Sequence, residues 1–330
     1  MVKTPLMIQT IITKKLGIKY PLIAGTMMNI TTPEFVAACS NAGGLGILAS
    51  AIYKTKDDLR AAIKKTQELT EKPFAVNVNL FPALMPTDQL AYIQIMLEEG
   101  VKIIETSGHA APAEYVPIFK DAGIIWMHKC AGVRYAIKAA GLGADIIEVV
   151  GYENGGATGK LDIGTLVMAP SVVDAVDVPV IAGGGVSDGR GVAALLALGV
   201  EGVVLGTRIM ATQECPIHDN LKKALVGASE TDTVLIMRTL NSTHRVYNNK
   251  AAQRVLEIEA GEPDPVEIYQ AAAGAKAKEM YETGNLDIGV ISCGQGVGLV
   301  HDVPLIKDLF DHIMQEAENV ITKNAERLTK

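Results

Sequence analysis

Short apolar runs recur along the chain from residue 21 onward, and each gives way to a stretch in which apolar and polar residues alternate at helical spacing. The runs occupy residues 21–26 (PLIAGT), 44–50 (GLGILAS), 74–80 (FAVNVNL), 102–108 (KIIETSG), 124–130 (IIWMHKC), 145–151 (DIIEVVG), 179–185 (PVIAGGG) and 202–208 (GVVLGTR). Their length, branched residues and Gly or Pro boundaries predict buried strands. Between them, residues 33–41, 54–69, 134–140 and 189–198 read as helices. Strands alternating with helices must run parallel and connect by right-handed crossovers. Eight such units predict an α/β fold, a closed (β/α)8 TIM barrel, with a doubly wound open sheet as the alternative. A barrel gathers its chemistry at the C-terminal ends of its strands. Small or polar residues collect there: Gly25-Thr26, Asn77, Asn79, Ser107-Gly108-His109, Lys129, residues 151–159, Gly183–Gly185 and Gly206-Thr207.

After Arg208 the pattern changes. Residues 220–226, 253–260 and 266–283 are helix-like, and no further buried strand is expected between about 215 and 290. The expected division is a barrel over 1–214, a small helical cap over 215–290, inserted after strand eight, and a return to the rim with a closing helix over 291–330. GQGVG at 294–298 brings the chain back to the rim, and residues 304–327 form an amphipathic helix.

Composition narrows the function. Hydrophobic residues make up 48% of 330 and aromatics only 5%, which suits strands buried on both faces. A net charge of −7 with no basic run excludes a nucleic-acid or anionic-membrane surface. Cys39, Cys130, Cys215 and Cys293 lack the spacing of a zinc site and read as free thiols in a reducing cytoplasm. The N-terminal stretch is neither a signal peptide nor a membrane span. The assembly stays open, a homo-oligomer included.

Strands seven and eight end in Gly183-Gly184-Gly185 and Gly206-Thr207, with Ser187 and Asp188 opening the next helix. Glycines let backbone N–H groups approach an anion, and a helix N-terminus adds partial positive charge, so the pair predicts a phosphate site. One glycine triplet alone would more simply relieve crowding at a strand end.

A phosphate does not name a cofactor, but longer stretches do. PLIAGTMMNITTPEFVAACSNAGGLGIL, FAVNVNL, GYENGGATG, PVIAGGGVSDGRGVAALLALGVEGVVLGTR and GQGVGL resemble the nitronate monooxygenase (2-nitropropane dioxygenase) family, over nearly the whole chain. HKCAGVRYAIKA, TRIMATQECPIH and IMRTLNSTHRV are most similar to its NAD(P)H:quinone reductase branch. The resemblance implies FMN across the barrel mouth. Gly25, Thr26 and Met27 would flank the isoalloxazine ring, with Asn79 near it and Lys129 at its pyrimidine edge. Gly155 and Gly156 would approach the ring from strand six, and Gln295 from the rim. Gly183, Gly184, Gly185, Gly206 and Thr207 would hold the phosphate. A cation near N1 and the C2 carbonyl stabilises reduced flavin, which suits Lys129. His128 precedes Lys129, faces the other way and reads as structural.

In family members the strand-six loop carries Gly-Gly-His or Ala-Gly-His, and the histidine acts on substrate; here it reads Gly155-Gly156-Ala157. A methyl group can neither accept nor donate a proton. Nitronate oxidation by the usual arrangement is therefore in doubt, whereas hydride transfer from a nicotinamide needs only stacking and orientation. His109 is the candidate substitute; Tyr152 and Glu153 stand in the altered loop, and Cys293 at the return. Glu105 and Glu148 read as barrel-interior or helix-facing groups with satisfied partners. Thr26 is a second departure, since relatives often have glycine there.

Three functions follow from these expectations. The first is an FMN-dependent oxidoreductase that takes electrons from NAD(P)H and reduces a small-molecule acceptor, a quinone or another electron-poor compound, enoyl compounds included. The second is a nitronate monooxygenase oxidising alkyl nitronates with O2. The third is a flavin-binding protein without turnover.

Overall fold

The computed structural model describes residues 7–80, 88–108, 110–261 and 264–328. Eight parallel strands close into a barrel in chain order: β1 (Leu22–Ala24), β2 (Leu45–Ala49), β3 (Phe74–Asn79), β4 (Ile103–Ser107), β5 (Ile125–Cys130), β6 (Ile146–Val150), β8 (Val180–Gly183) and β9 (Gly202–Leu205). All eight fall inside the apolar runs of the sequence. The seam pairs β9 with β1, Val204 opposite Ile23, so the sheet has no free edge. The open-sheet alternative is thereby excluded.

Alternation along each strand sorts the side chains. One set points out to the helices, and the other fills the barrel. The lower interior is apolar, built from Ile23, Leu45, Ile47, Ala75, Ile103, Met127, Ile146 and Ile181. The helix Ile11–Leu16 plugs the bottom with Ile12 and Leu16. One step up, at i+2 on β3, β4, β5 and β6, the interior turns polar: Asn77, Glu105, Lys129 and Glu148. That change of character falls at the C-terminal mouth.

Beyond β9 the chain differs from expectation. The segment from 215 to 290 contains the helices Asp219–Val226, Lys250–Ala260, Pro265–Ala271 and Gly274–Thr283, but also two strands, β10 (Thr233–Ile236) and β11 (His244–Tyr247). These pair antiparallel with each other, and β11 pairs with β7 (Gly156–Ala157) from the strand-six loop. Both strands are only four residues long, too short for periodicity to mark; β11 (HRVY) mixes polar and apolar residues, although β10 (TVLI) is an apolar run outside the expected strands. The inserted segment has its own small core of Ile236, Met237, Val246, Ala252, Val255, Ile258 and Ile268. The last helix, Ile306–Ala325, lays Leu309, Phe310, Ile313 and Met314 against the barrel helices.

Candidate active site at the barrel mouth

A cleft opens at the C-terminal end of the barrel. Its walls come from the ends of β1, β5, β6, β8 and β9 and from the return at Ser292–Gly296.

The structure brings together most of the residues singled out in the sequence. Gly25, Thr26, Met27, Lys129, Gly155, Gly184, Gly185, Gly206 and Thr207 all line the cleft. Gly183 lies just behind the wall, where a β-carbon would stand 2.4 Å from Val204 Cγ1. Gly156 pairs with Arg245 in the β7–β11 ladder. Gln295 is half-buried, its N–H donating to the Glu153 carbonyl at 2.9 Å. Asn79 ends β3, and its carbonyl accepts from Gln89 Nε2 at 2.7 Å. His109 lies outside the described residues.

The glycines of the cleft wall have distinct tasks. Gly184 and Gly185 adopt φ of 109° and 74°, which side chains rarely tolerate. Gly155 and Gly294 abut: a β-carbon on Gly155 would sit 2.8 Å from Gly294 N. The rim return is also tied down by Thr207 Oγ1, which accepts from Gly294 N–H at 2.9 Å, and by Ser187 Oγ, which donates to the Gly296 carbonyl at 2.7 Å. Sequence reading missed Asn154, which lines the cleft and whose Oδ1 is buried without a hydrogen-bond donor among the described residues. Its Nδ2 is spent on the carbonyls of Gly155 and Ala157.

One expectation about the anion site needs correction. The helix Gly189–Ala197 does not offer a free N-terminus. Asp188 Oδ1 accepts from the N–H groups of Arg190 and Gly191, and Glu316 Oε2 accepts from Gly189 N–H at 2.7 Å. Two carboxylates already occupy that helix end. What remains on this wall for the expected anion is the glycine loops themselves.

Beneath the cleft the polar layer is connected. Lys129, a quarter exposed, places Nζ 2.8 Å from Oε1 of the fully buried Glu148. Thr26 Oγ1 donates to Glu105 Oε2 at 2.7 Å, and Asn77 Nδ2 donates to the same oxygen at 2.6 Å. Burial first, and then the charge of Glu148, push Glu105 up to about 7 against Lys129 and these two donors. Burial alone would lower Lys129, but Glu148 and Glu105 outweigh it and hold the lysine above its ordinary value. Lys129 is thus not a lone cation. Nor are both glutamates satisfied, because Glu105 Oε1 and Glu148 Oε2 lack hydrogen-bond donors among the described residues.

The other candidate groups resolve into packing. His128 is buried with Nδ1 2.8 Å from Thr106 Oγ1, and burial pushes it down to about 4. Glu153 accepts from Thr165 N–H at 2.8 Å and from its hydroxyl at 2.8 Å, opening the helix Thr165–Val173. Tyr152 lies under the Arg245 guanidinium, 4.4 Å from its ring centroid. Burial raises the Cys293 thiol to about 12, far from a reactive thiolate. Among the described residues no metal-binding cluster is present.

At Ala157 the register supplies a neighbour that sequence alone could not assign. His244 pairs directly with Ala157 across β7 and β11. Directly opposed side chains share a face with their β-carbons about 4.5–5.5 Å apart. His244 Nδ1 is held 2.6 Å from the Ser242 carbonyl, which makes Nδ1 the protonated nitrogen and leaves Nε2 for another partner.

Comparison with known proteins agrees with this arrangement. The family model of nitronate monooxygenase matches residues 9–316. A Rhodococcus jostii protein, (3aS,4S,5R,7aS)-5-hydroxy-7a-methyl-1-oxo-octahydro-1H-indene-4-carboxyl-CoA dehydrogenase, is 33% identical, covering 94% of this chain and 96% of its own. FabK from Thermotoga maritima superposes with a TM-score of 0.90 at 32% identity, over 98% of this chain and 100% of that one. A nitroalkane oxidase from Streptomyces ansochromogenes superposes with a TM-score of 0.82 at 25% identity, over 95% and 99%. Barrel, glycine-walled cleft and whole-length likeness converge: the chain belongs to the nitronate monooxygenase family and is a flavin-dependent oxidoreductase.

Proposed function

We propose that the protein uses FMN to carry electrons from NAD(P)H to an electron-poor small-molecule acceptor. The observation that carries this reading is the cleft itself. It is walled by glycines, of which Gly184 and Gly185 have positive φ and Gly206 stands in open space. Those features fit a phosphorylated ligand approached by backbone N–H groups.

Gly184, Gly185, Gly206 and Thr207 would hold the phosphate, with Gly183 backing the wall. Gly25, Thr26 and Met27 would flank the ring, and Lys129 would meet its pyrimidine edge, with Asn79, Gly155, Gly156 and Gln295 nearby. Bound FMN supplies a two-electron carrier that takes a hydride from one partner and passes it to the next. The chain's own part is to position the reactants, exclude water and deliver a proton to the acceptor. For that proton two residues qualify: His109, two positions after the end of β4 in the sequence, and His244, beside Ala157. The segment 215–290 would shape the acceptor pocket as a cap. The relative named for an indene-carboxyl-CoA substrate supports an acceptor of the acyl-thioester type alongside a quinone.

The deciding experiment is anaerobic mixing of the yellow holoprotein with NADH or NADPH. Rapid bleaching of the flavin, followed by reoxidation on adding a quinone or an enoyl thioester, is expected. Protein that releases no FMN on denaturation overturns the cofactor. Protein that keeps its colour under NAD(P)H but consumes oxygen with an alkyl nitronate belongs to the second reading, which the family model and the nitroalkane oxidase likeness support. His109→Gln and His244→Gln separate the two proton candidates. The donor should show acceptor turnover reduced by about 10²-fold, with flavin reduction unchanged.

A further inference from the structure

Flavin binding by itself does not require two glutamates inside the barrel. Glu105 and Glu148 are both 0% exposed, and they share the interior layer with a single lysine. Lys129 is matched to Glu148 at 2.8 Å. Glu105 therefore has no cation of its own. Its two donors, Thr26 and Asn77, are neutral and converge on one oxygen, so Oε1 receives nothing.

The elements around Glu105 offer no further compensation. β3 presents Asn77, itself bonded to Ser107 Oγ at 3.1 Å. β5 presents Met127 and Lys129, β6 presents Glu148, and Thr26 follows β1. Among the described residues, Lys129 and Glu148 are the charged groups acting on it. An ionised carboxylate in that setting is costly, because burial removes water from an oxygen that nothing replaces. A proton on Glu105 makes the three-group layer neutral and turns an acceptor-only atom into a donor. Burial and the Glu148 charge set its titration at about 7, where small changes in nearby charge decide its state.

Such a change would occur directly above. A hydride arriving on oxidised flavin brings two electrons and one hydrogen, and leaves the ring with one added negative charge. We infer, on the flavin reading above, that Glu105 is a positioning residue for charge: it takes one solvent proton onto its carboxylate when the flavin is reduced, and releases it on reoxidation. The only bond made or broken at Glu105 is its O–H bond. Thr26 connects the two places, since it lines the cleft and its hydroxyl donates to Glu105 Oε2. This also assigns a task to the Thr26 hydroxyl.

The test is a redox titration of the FMN holoprotein at a series of pH values. For the native protein, the midpoint potential should fall with pH twice as steeply in a window opening near pH 7. The slope there should change from one to two protons per electron pair. Glu105→Gln keeps the size and both hydrogen-bond partners of the side chain but cannot titrate, and should hold the one-proton slope throughout. Equal slopes in the two proteins overturn the inference. If the variant does not fold, infrared difference spectra of the native protein decide. Reduction near pH 7.5 should add a protonated-carboxyl stretch, and its absence overturns the inference. Failure of the protein to bind any flavin overturns the functional reading and this inference together. Flavin that bleaches normally with no second proton overturns this one alone.

Discussion

The ionisable residues of the barrel interior give the molecule opposing responses to pH. Glu105 is raised to about 7, so the folded chain holds a proton that the unfolded chain releases above about 4.5. Its effect on stability is therefore lost progressively as pH rises from about 4.5 to about 7. His128 is lowered to about 4 from 6.5, so the folded chain refuses a proton that the unfolded chain accepts. Its effect is lost as pH falls from about 6.5 to about 4. The two slopes oppose each other where the windows overlap. Glu105→Gln should uncover the histidine. In denaturant titrations it should gain on the order of 1–3 kcal/mol over the native protein at pH 8, and little or nothing at pH 4.5. A variant equally shifted at both pH values would show that Glu105 enters the fold ionised. At Ala157, Ala157→His should create or raise nitronate oxidation if only the base is lacking. No gain in an oxygen-uptake assay would mean that the pocket has changed further. Much of the site was legible at this scale because glycines at strand ends and a lysine among apolar residues stand out in one dimension. The pairing of Lys129 with Glu148, the orphaned Glu105 oxygen and the closeness of His244 to Ala157 were not. Each joins residues from different strands and depends on register, which composition does not encode.

At the scale of elements, the apolar runs located all eight barrel strands because each is buried on both faces and needs an unbroken apolar stretch. The β10–β11 hairpin is harder to see because its strands are four residues long, and β11 (HRVY) mixes polar residues with its apolar ones. The helix Gly189–Ala197 illustrates a subtler failure. Its N-terminus was expected to add partial positive charge to the phosphate site at Gly183–Gly185 and Gly206-Thr207, and the sequence could not show that Glu316, 127 residues away, takes Gly189 N–H. The glycine loop is therefore the sensitive element. Gly184 has φ of 109°, and a β-carbon there would lie 2.7 Å from Thr165 Oγ1 and 3.1 Å from Gly151 N. Gly184→Ala should weaken FMN retention at least tenfold, measured by equilibrium dialysis. Asp188→Ala, which removes the helix cap and the exposed ion pair with Arg190, should cost about 1 kcal/mol of stability and leave FMN affinity near native. Equal losses of FMN from both would return the phosphate to the helix end.

Across the whole molecule, the barrel is closed twice. Hydrogen bonds close it at the β1–β9 seam, and the last helix closes it again by packing on the helices Gly189–Ala197 and Pro33–Asn41. Leu309, Phe310, Ile313 and Met314 are each at most 4% exposed in that contact. At about 1.5–3 kcal/mol for each fully buried side chain, together they match the entire stability of an ordinary domain. Ending the chain at residue 305 should therefore abolish cooperative unfolding, monitored by calorimetry. A truncated protein with a sharp transition would show that the barrel core suffices.

The sheet shared by β7, β10 and β11 bears on how such enzymes can be recombined. Part of it comes from the loop after β6, and the rest from a segment some eighty residues further along the chain. A chimera that transplants residues 215–290 alone would set a foreign β11 beside the host's Gly156 and Ala157. Register across that boundary, and with it the residue facing Ala157, would be left to chance. On the proposed function, acceptor preference in this scaffold would be inherited as two discontinuous pieces that have to travel together.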